Sequence, residues 1–154
     1  TRVGAGPFPT ELVDEVGEKI RALGDEYGAT TGRPRRCGWL DLVALRHAIR
    51  INGVNSIAVT KLDVLDELEE IKVCTEYELN GERHPEVPLD LSELAHVKPV
   101  YKTLPGWRSD TTGLTEFGKP QKAREYLEFI AHDLGVDICL ISTGAKRHET
   151  ILVG

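Results

Sequence analysis

Residues 39–60 carry the sequence WLDLVALRHAIRINGVNSIAVT, in which a helical pattern is followed directly by a strand pattern. Apolar residues recur at helical spacing from about Trp39 to Ile51, and Asn52-Gly53 predicts the end of this helix. The run Ser56–Thr60 is short and mostly apolar, which is typical of a buried strand. A helix that leads into a buried strand predicts an α/β protein.

Two further helices follow from the same periodicity. Thr10 is predicted to cap the first and Gly24 to end it. The last is predicted to have Pro120 in its first turn and to end at Gly135. The apolar faces are Leu12, Val16, Ile20 and Leu23 for the first, and Ala123, Leu127, Ile130 and Leu134 for the last.

Strand patterns lie between and after these helices. Alternation over Ile71–Leu79 predicts a half-exposed strand that ends at an Asn80-Gly81 turn. Further strands are predicted at Val100–Leu104, Ile138–Ile141 and Thr150–Val153. Residues 81–99 contain three prolines and predict a loop with one helical turn at Leu91–Ala95. The expected fold is therefore a sheet flanked by helices.

Composition limits the kind of protein. With 154 residues, 40% hydrophobic and 29% charged, the chain is predicted to fold as one domain or part of a larger one, without a membrane span or secretory leader. A net charge of −6 argues against nucleic acid and membrane partners. Three widely spaced cysteines predict free thiols and a cytoplasmic location. The chain contains no methionine, which is equally consistent with a processed start, a piece of a longer protein or a trimmed tag.

A basic loop is the first candidate for ligand binding. Residues 28–39, GATTGRPRRCGW, contain three arginines and no acid. Guanidinium groups bind carboxylates and phosphates with paired donors, glycines let the backbone approach a ligand, and Pro34 stiffens the loop. The alternative is a solvated basic loop without a ligand. His47 is predicted to be a packed side chain, and the other four histidines lack the spacing of a metal site. The neighbouring arginines could make the Cys37 thiol more reactive than usual, but a catalytic role is not predicted for it.

The second candidate is Thr60-Lys61-Leu62-Asp63, at the carboxyl end of the predicted strand. Open α/β sheets bind ligands at such ends. A carboxylate at Asp63 could accept hydrogen bonds from two N–H groups of guanine, while the Lys61 stem packs along the base; adenine lacks those donors. The alternative is a Lys-x-Asp sequence on a solvent-exposed face.

The third candidate is the turn Ser142-Thr143-Gly144 after the strand Ile138–Ile141. Its backbone N–H groups could complete a base pocket beside Asp63. The alternative is a plain strand-to-turn transition.

Six blocks of this chain together resemble the C-terminal portion of adenylosuccinate synthetases. In order, they are TRVGAGPFPTEL, YGATTGRPRRCGWLD, SIAVTKLDVLD, VYKTLPGW, GKPQKAREYLEFI and ISTGAKRHETI. The resemblance implies part of a P-loop-like α/β nucleotide-binding fold whose N-terminal half is missing here. It also implies a cytoplasmic, homodimeric parent enzyme that condenses IMP with L-aspartate in AMP biosynthesis. That enzyme uses GTP as a substrate, together with magnesium.

The resemblance also implies roles for individual residues. The mobile aspartate loop would be Ala29, Thr30, Thr31, Gly32, Arg33, Pro34 and Arg35. Val3 and Arg33 would contact IMP. Guanine and its phosphates would be held by Arg35, Lys61, Leu62, Asp63, Ser142, Thr143 and Gly144. The phosphate loop, the catalytic aspartate and histidine, and the magnesium ligand would lie outside this segment, which would then hold no catalytic or metal-binding residue.

Two positions depart from the resemblance: Pro34 stands where an arginine is frequent, and Ala145 where a proline is frequent. The leading hypothesis is a ligase segment that is inactive alone, with Asp63 and the arginine loop facing one cleft. The alternatives are a non-catalytic guanine-nucleotide-binding or interaction module, and a structural domain whose basic loop binds anions nonspecifically.

Overall fold

The computed structural model describes residues 1–90 and 92–153, which contain interleaved helices and strands. This confirms the mixed α/β class. The helices are α1 (Glu15–Leu23), α2 (Leu42–Asn52) and α3 (Gln121–Leu134). The strands are β1 (Leu40–Asp41), β2 (Ser56–Val59), β3 (Glu70–Leu79), β4 (Glu82–His84), β5 (Lys98–Pro105), β6 (Asp137–Ser142) and β7 (Thr150–Leu152). Short 3₁₀ helices occur at Leu62–Leu65 and Glu93–Ala95.

The chain forms two compact units. The first consists of Thr1–His47 and Lys72–Lys102, and the second of Ala48–Ile71 and Thr103–Gly154. Within the described part of the chain, no helix is both long and apolar enough to cross a membrane.

Helix α1 begins later than the sequence predicts. Its N-cap is Asp14, whose Oδ1 accepts the Gly17 N–H at 3.0 Å, so the prediction of Thr10 as cap is wrong. Thr10 is fully buried, and its carbonyl accepts the Trp39 N–H at 3.1 Å. Asp14 lies three residues before the N–H that needs an acceptor, which is the geometry of a side-chain cap. The predicted end at Gly24 is confirmed.

Helix α2 also begins later than predicted, because Leu40 and Asp41 form a strand. They pair in parallel with Val73 and Cys74 of β3. Asp41 then accepts the Ala44 N–H at 3.0 Å and so fixes the start of the helix. The predicted end is confirmed, since the helix stops at Asn52 and Gly53 has φ of +62°.

A two-residue turn joins β3 and β4 in the first unit. Asn80 and Gly81 have φ of +55° and +86°, as the predicted tight hairpin turn requires, and Leu79 pairs with Glu82. The loop prediction over 81–99 is wrong at β4, because this turn returns the chain antiparallel onto β3. The predicted helical turn 91–95 begins at Leu91, outside the described residues; a 3₁₀ helix covers Glu93–Ala95.

The core of the first unit surrounds one hydrogen bond. Tyr77 Oη donates to Asp41 Oδ2 at 2.6 Å, and burial raises the pKa of the Asp41 carboxyl above its ordinary value. Buried apolar side chains pack around this pair: Val43, Cys74, Tyr77 and Val97, with Leu79, Val87, Leu94 and Tyr101 half-buried. The strand prediction for residues 71–79 is confirmed by β3.

The second unit contains a three-stranded sheet in the order β2-β6-β7. Strands β2 and β6 are parallel, and β6 and β7 are antiparallel. The prediction that Ser56–Thr60 is buried is wrong: Ser56 and Ala58 are exposed, because β2 lies at the end of the strand order.

Helix α3 supplies the second unit's apolar layer. It ends at Gly135 with φ of +64°, as predicted, but Pro120 is its N-cap and does not lie in its first turn. Trp107 packs near Tyr126, with ring centroids 5.8 Å apart. The buried residues of α3 are Ala123, Tyr126, Leu127, Ile130 and Leu134, which include all four predicted ones.

Candidate functional site

The carboxyl ends of β2 and β6 bring two of the candidate motifs together. Because these strands are parallel neighbours, the residues that follow β2 lie beside the end of β6. The Lys61 N–H donates to Ser142 Oγ at 2.8 Å. The second and third candidates are therefore one structural element within the second unit.

Asp63 lies in a tight turn that leaves part of its carboxylate without a partner. Lys61 adopts the left-handed conformation, with φ of +58°, and the 3₁₀ helix Leu62–Leu65 follows. Leu62 and Val64 are buried, whereas Asp63 is half-buried. Asp63 Oδ1 is buried and accepts no hydrogen bond from the residues that the structure describes. It is thus an acceptor that lacks a donor, a costly arrangement unless a ligand supplies one.

The surroundings of Asp63 oppose its negative charge. Burial has the largest effect and raises the pKa of the Asp63 carboxyl above its ordinary value. The backbone N–H of Asp63 itself lowers this pKa, the carboxylates of Asp66 and Glu149 raise it, and the positive charge of Lys61 lowers it. A group with two N–H donors would relieve this unfavourable charge, which is what guanine presents and adenine does not.

Asp66 anchors the turn that carries Asp63. It accepts hydrogen bonds from Trp107 Nε1 at 2.6 Å, from the Thr111 N–H at 2.6 Å and from Thr111 Oγ1 at 2.8 Å. The sequence analysis did not single out Asp66, because its partners lie about forty residues away along the chain. Asp66 is thus a structural residue.

Hydrogen bonds of two buried residues, Thr143 and Glu149, stabilise the turn after β6. Thr143 is fully buried, its N–H donates to the Glu149 carbonyl at 2.9 Å, and its hydroxyl donates to the Leu114 carbonyl at 3.2 Å. Glu149 is only 7% exposed, and its Oε2 accepts the Lys146 N–H at 2.7 Å. Nothing in the local sequence pattern around Glu149 separates it from a surface acid, so its burial could not be predicted.

A narrow crevice borders this element. It is lined by Leu62, Leu114, Ile141 and Thr143, among others, and has a free volume of about 10 Å³. That is room for about one water molecule and not for a purine base. This crevice therefore does not provide a pocket for a base at Asp63.

The basic loop is the tip of a small hairpin in the first unit. Its base is closed by two backbone hydrogen bonds, from the Arg35 N–H to the Glu26 carbonyl at 2.9 Å and from the Gly28 N–H to the Arg33 carbonyl at 2.8 Å. Gly32 turns the chain with φ of +62°. The residues of the tip, numbers 29–34, are all exposed.

The three arginines of this loop differ in what they contact. Arg36 makes a two-point pair with Glu11, Nε to Oε1 at 2.8 Å and Nη2 to Oε2 at 2.6 Å, and it also donates to the Gly6 carbonyl at 2.8 Å. Arg35 pairs with Glu26. Arg33 is exposed, and its guanidinium has no hydrogen bond or ion pair among the described residues. Arg33 is thus the arginine that is available to a ligand, and Arg36 supports the fold.

The remaining positions considered in the sequence are Val3, Cys37 and His47. Val3 is 78% exposed, next to Arg2, whose N–H donates to the Arg36 carbonyl at 2.8 Å. Cys37 is buried, and His47 is half-buried in α2. Among residues 1–90 and 92–153, no three histidine, cysteine, aspartate or glutamate side chains are grouped as a metal site requires.

Comparison with known proteins identifies the family. The family model described as adenylosuccinate synthetase matches residues 1–151. The chain belongs to the adenylosuccinate synthetase family. It is 57% identical over 152 residues to the adenylosuccinate synthetase of Aquifex aeolicus (strain VF5) and 54% identical over 154 residues to that of Gloeobacter violaceus (strain ATCC 29082 / PCC 7421). These matches cover 98% and 99% of this chain, but 35% of each relative.

A solved structure agrees with this assignment. The chain resembles the fully ligated adenylosuccinate synthetase from Plasmodium falciparum, with a TM-score of 0.93 and 40% sequence identity. The match covers 99% of this chain and 37% of the other. The chain therefore spans little more than a third of the adenylosuccinate synthetases that it matches.

Both departures from the adenylosuccinate synthetase pattern lie on the surface. Pro34 and Ala145 are exposed, so neither replaces a buried contact. The arginine loop lies in the first unit and Asp63 in the second. That the two face one cleft stays a prediction, as do the ligand roles of the individual residues.

Proposed function

We propose that this chain is the C-terminal portion of a GTP-dependent ligase that joins IMP and L-aspartate in AMP biosynthesis. The match of residues 1–151 to the adenylosuccinate synthetase family is the observation that carries this proposal. The segment would contribute the guanine-binding and aspartate-binding elements.

The second unit would recognise guanine. The Asp63 carboxylate, one oxygen of which has no partner among the described residues, would accept the two N–H groups of the base edge, and the Lys61 stem would pack along the ring. The Lys61–Ser142 hydrogen bond supports this role, because it holds Asp63 and the Ser142–Gly144 backbone beside each other. Leu62, which is buried, would contribute its backbone.

The hairpin of the first unit would bind anionic groups. Thr30, Thr31, Arg33 and Arg35 would meet the carboxylates of aspartate, and Arg33 would also touch the IMP ribose. Arg35 would face the GTP phosphates, where positive charge favours the charge spread over a transferring phosphoryl group. Val3 would contact IMP through its main chain. The exposed tip of the hairpin supports this role for Thr30, Thr31 and Arg33, because it presents their side chains to solvent.

The proposed reaction has two steps. The 6-oxygen of IMP takes the γ-phosphoryl group of GTP, and the amine of aspartate then displaces phosphate to give adenylosuccinate. We propose that the segment alone is inactive, because the phosphate loop and the catalytic residues that the family resemblance implies would lie outside it. Magnesium would accompany GTP, and we assign its ligands to the rest of the enzyme on the same ground. We also propose that the full enzyme is cytoplasmic and homodimeric.

A chimera tests this function. This chain would replace the matching segment of the Aquifex aeolicus relative, and adenylosuccinate formation would be measured with IMP, aspartate, magnesium and either GTP or ATP. We expect GTP-dependent product from the chimera and none from the isolated chain. A folded chimera that makes no product, or that uses ATP as well as GTP, would contradict the proposal. Turnover by the isolated chain would contradict its inactivity.

A second candidate is a guanine-nucleotide-binding module without chemistry. It is favoured by the location of the Lys61–Ser142 hydrogen bond, Asp63 and the Ser142–Gly144 turn within a single unit. Calorimetry of the isolated chain with GDP and with ADP separates the candidates. GDP-selective binding supports a module that works alone, and an equal response to GDP, ADP and sulfate indicates nonspecific anion binding.

A further inference from the structure

A buried carboxylate lies under the turn that follows β6, and the proposed reaction gives it no role. Glu149 is 7% exposed, and its backbone and side chain form several hydrogen bonds within residues 143–149. Its Oε2 accepts the Lys146 N–H at 2.7 Å, its own N–H donates to the Lys146 carbonyl at 2.9 Å, and its carbonyl accepts the Thr143 N–H at 2.9 Å. The Lys146 ammonium lies 3.8 Å from Oε1. Glu149 therefore holds the turn through two backbone hydrogen bonds and through the contacts of its carboxylate with Lys146.

Gly144 lies against the side chain of Glu149, where there is no room for a Cβ. A Cβ at Gly144 would lie 2.3 Å from Glu149 Oε2, 2.7 Å from its Cδ and 3.2 Å from its Cβ. The backbone of Gly144 is outside the left-handed region, so the glycine is required for space and not for conformation. The carboxylate occupies the volume that any larger residue at position 144 would need.

Glu149 also acts on Asp63 through its charge. The charged groups that act on Asp63 are Lys61 and Asp66 of its own segment and Glu149 of the turn before β7. Two of these three are negative, and the Asp63 oxygen has no donor among the described residues. A ligand that offers N–H donors gains from this arrangement, whereas a ligand edge without donors leaves the carboxylate unpaired.

We propose that Glu149 is a positioning residue of the base site: its carboxylate holds the Ser142–Lys146 turn, whose Ser142 hydroxyl accepts the Lys61 N–H, and its negative charge favours a base edge with N–H donors at Asp63. This inference rests on the proposed guanine site. Glu149 itself touches no ligand in this account. It acts through the backbone of the turn and through Asp63.

The decisive variant is Glu149→Gln in the chimera, because glutamine keeps the shape and an acceptor for the Lys146 N–H but loses the charge. We expect the acidic limb of the pH profile of the GTP KM to move to lower pH, since one of the charges that raise the pKa of Asp63 is gone. A residue that only supports the fold would not move this limb. Glu70→Gln, an exposed carboxylate of the same unit, is the control and should leave the profile unchanged.

A second set of variants tests the packing. Gly144→Ala should raise the GTP KM on the order of tenfold with little change in kcat, the signature of lost binding. The double variant Gly144→Ala, Glu149→Asp should recover part of this loss, because the shorter side chain makes room for the new Cβ and keeps the negative charge. If Glu149→Gln does not fold, this rescue decides the question, and its absence would overturn the inference.

The results also separate this inference from the proposed function. If Asp63→Asn leaves the use of GTP unchanged, the guanine site itself is wrong. If Asp63→Asn weakens the use of GTP but Glu149→Gln behaves as Glu70→Gln does, only the role of Glu149 is overturned.

Discussion

Arg35 Nη1 lies 3.0 Å from Oε2 of Glu26, and Glu26 is 8% exposed. The same two residues are joined by a backbone hydrogen bond, and Arg21 Nε donates to the Arg35 carbonyl at 2.9 Å. Arg35 is thus held at the base of the hairpin by three contacts, while the tip that it supports is exposed. A ligand that binds Arg35 has to share it with Glu26 or displace that contact.

Glu26→Gln is expected to destabilise the chain by about 1 kcal/mol, because it weakens an ion pair whose arginine is partly solvated. Urea unfolding of the isolated chain measures this change. Glu82→Gln is the matched control, since Glu82 is exposed. Equal midpoints for the two variants would show that the pair contributes nothing to stability.

Arg33→Leu is expected to leave stability within about 0.5 kcal/mol, since the guanidinium has no partner among the described residues. In the chimera it should raise the KM for aspartate roughly tenfold or more, because paired hydrogen bonds to a carboxylate are lost. Arg36→Leu is the contrasting variant and should lower the unfolding temperature, since it removes the two-point pair with Glu11. A loss of GTP affinity alone in Arg33→Leu would show that its role has been assigned wrongly.

Asp63→Asn is expected to raise stability while it weakens the use of GTP. The folded-state pKa of Asp63 is above its ordinary value, so the folded chain binds this proton more tightly than the unfolded chain. Stability therefore falls as pH rises through that pKa, and at neutral pH the charged side chain is a net cost. We expect the variant to unfold about 2 °C higher at pH 7, with the difference vanishing in acid.

The functional part of this prediction is measured in the chimera. Loss of a charged acceptor for two N–H groups should cost about 1.5–3 kcal/mol in transition-state stabilisation with GTP. Asp66→Asn is the contrasting variant, because it should lower stability through the Trp107 and Thr111 contacts. Unchanged GTP kinetics in Asp63→Asn would remove Asp63 from the guanine site.

Tyr77→Phe is expected to destabilise the chain by about 1–3 kcal/mol, since it leaves the half-buried Asp41 carboxylate without its 2.6 Å donor. Tyr101→Phe is the matched control, because Tyr101 packs on the same cluster without a hydrogen bond from its hydroxyl within the described chain. Thermal unfolding of both variants measures the difference, and equal losses would contradict a specific role for the Asp41 hydrogen bond.

The parts of the fold that were predictable depend on local rules. Asn80-Gly81 specifies its own turn, and the helical spacing of Ala123, Leu127, Ile130 and Leu134 defines the buried face of α3. The start of α2 was not predictable, because Leu40 pairs with Val73, more than thirty residues away. The exposure of β2 depends on strand order, which the pattern of a single strand does not contain.

The same distinction applies to the candidate site. The motifs after β2 and β6 could be found from their positions at strand ends, and the Lys61–Ser142 hydrogen bond joins them. The different partners of Arg33, Arg35 and Arg36 could not be predicted, since Glu26 and Glu11 become neighbours only through folding. Glu149 was missed for the same reason: its burial results from tertiary packing around Thr143 and Gly144.

The hairpin with a fixed base and an exposed tip has an evolutionary consequence. Apart from Gly32, which turns the chain in the left-handed conformation, the exposed side chains of residues 29–34 contribute little to folding, so mutations there are limited by ligand chemistry and not by protein stability. Mutations at Glu26 or Arg36 are limited by protein stability, because these residues form ion pairs that support the fold. New acidic co-substrates should therefore be accessible to directed evolution through short cassettes at the tip, in libraries that keep most of their members folded.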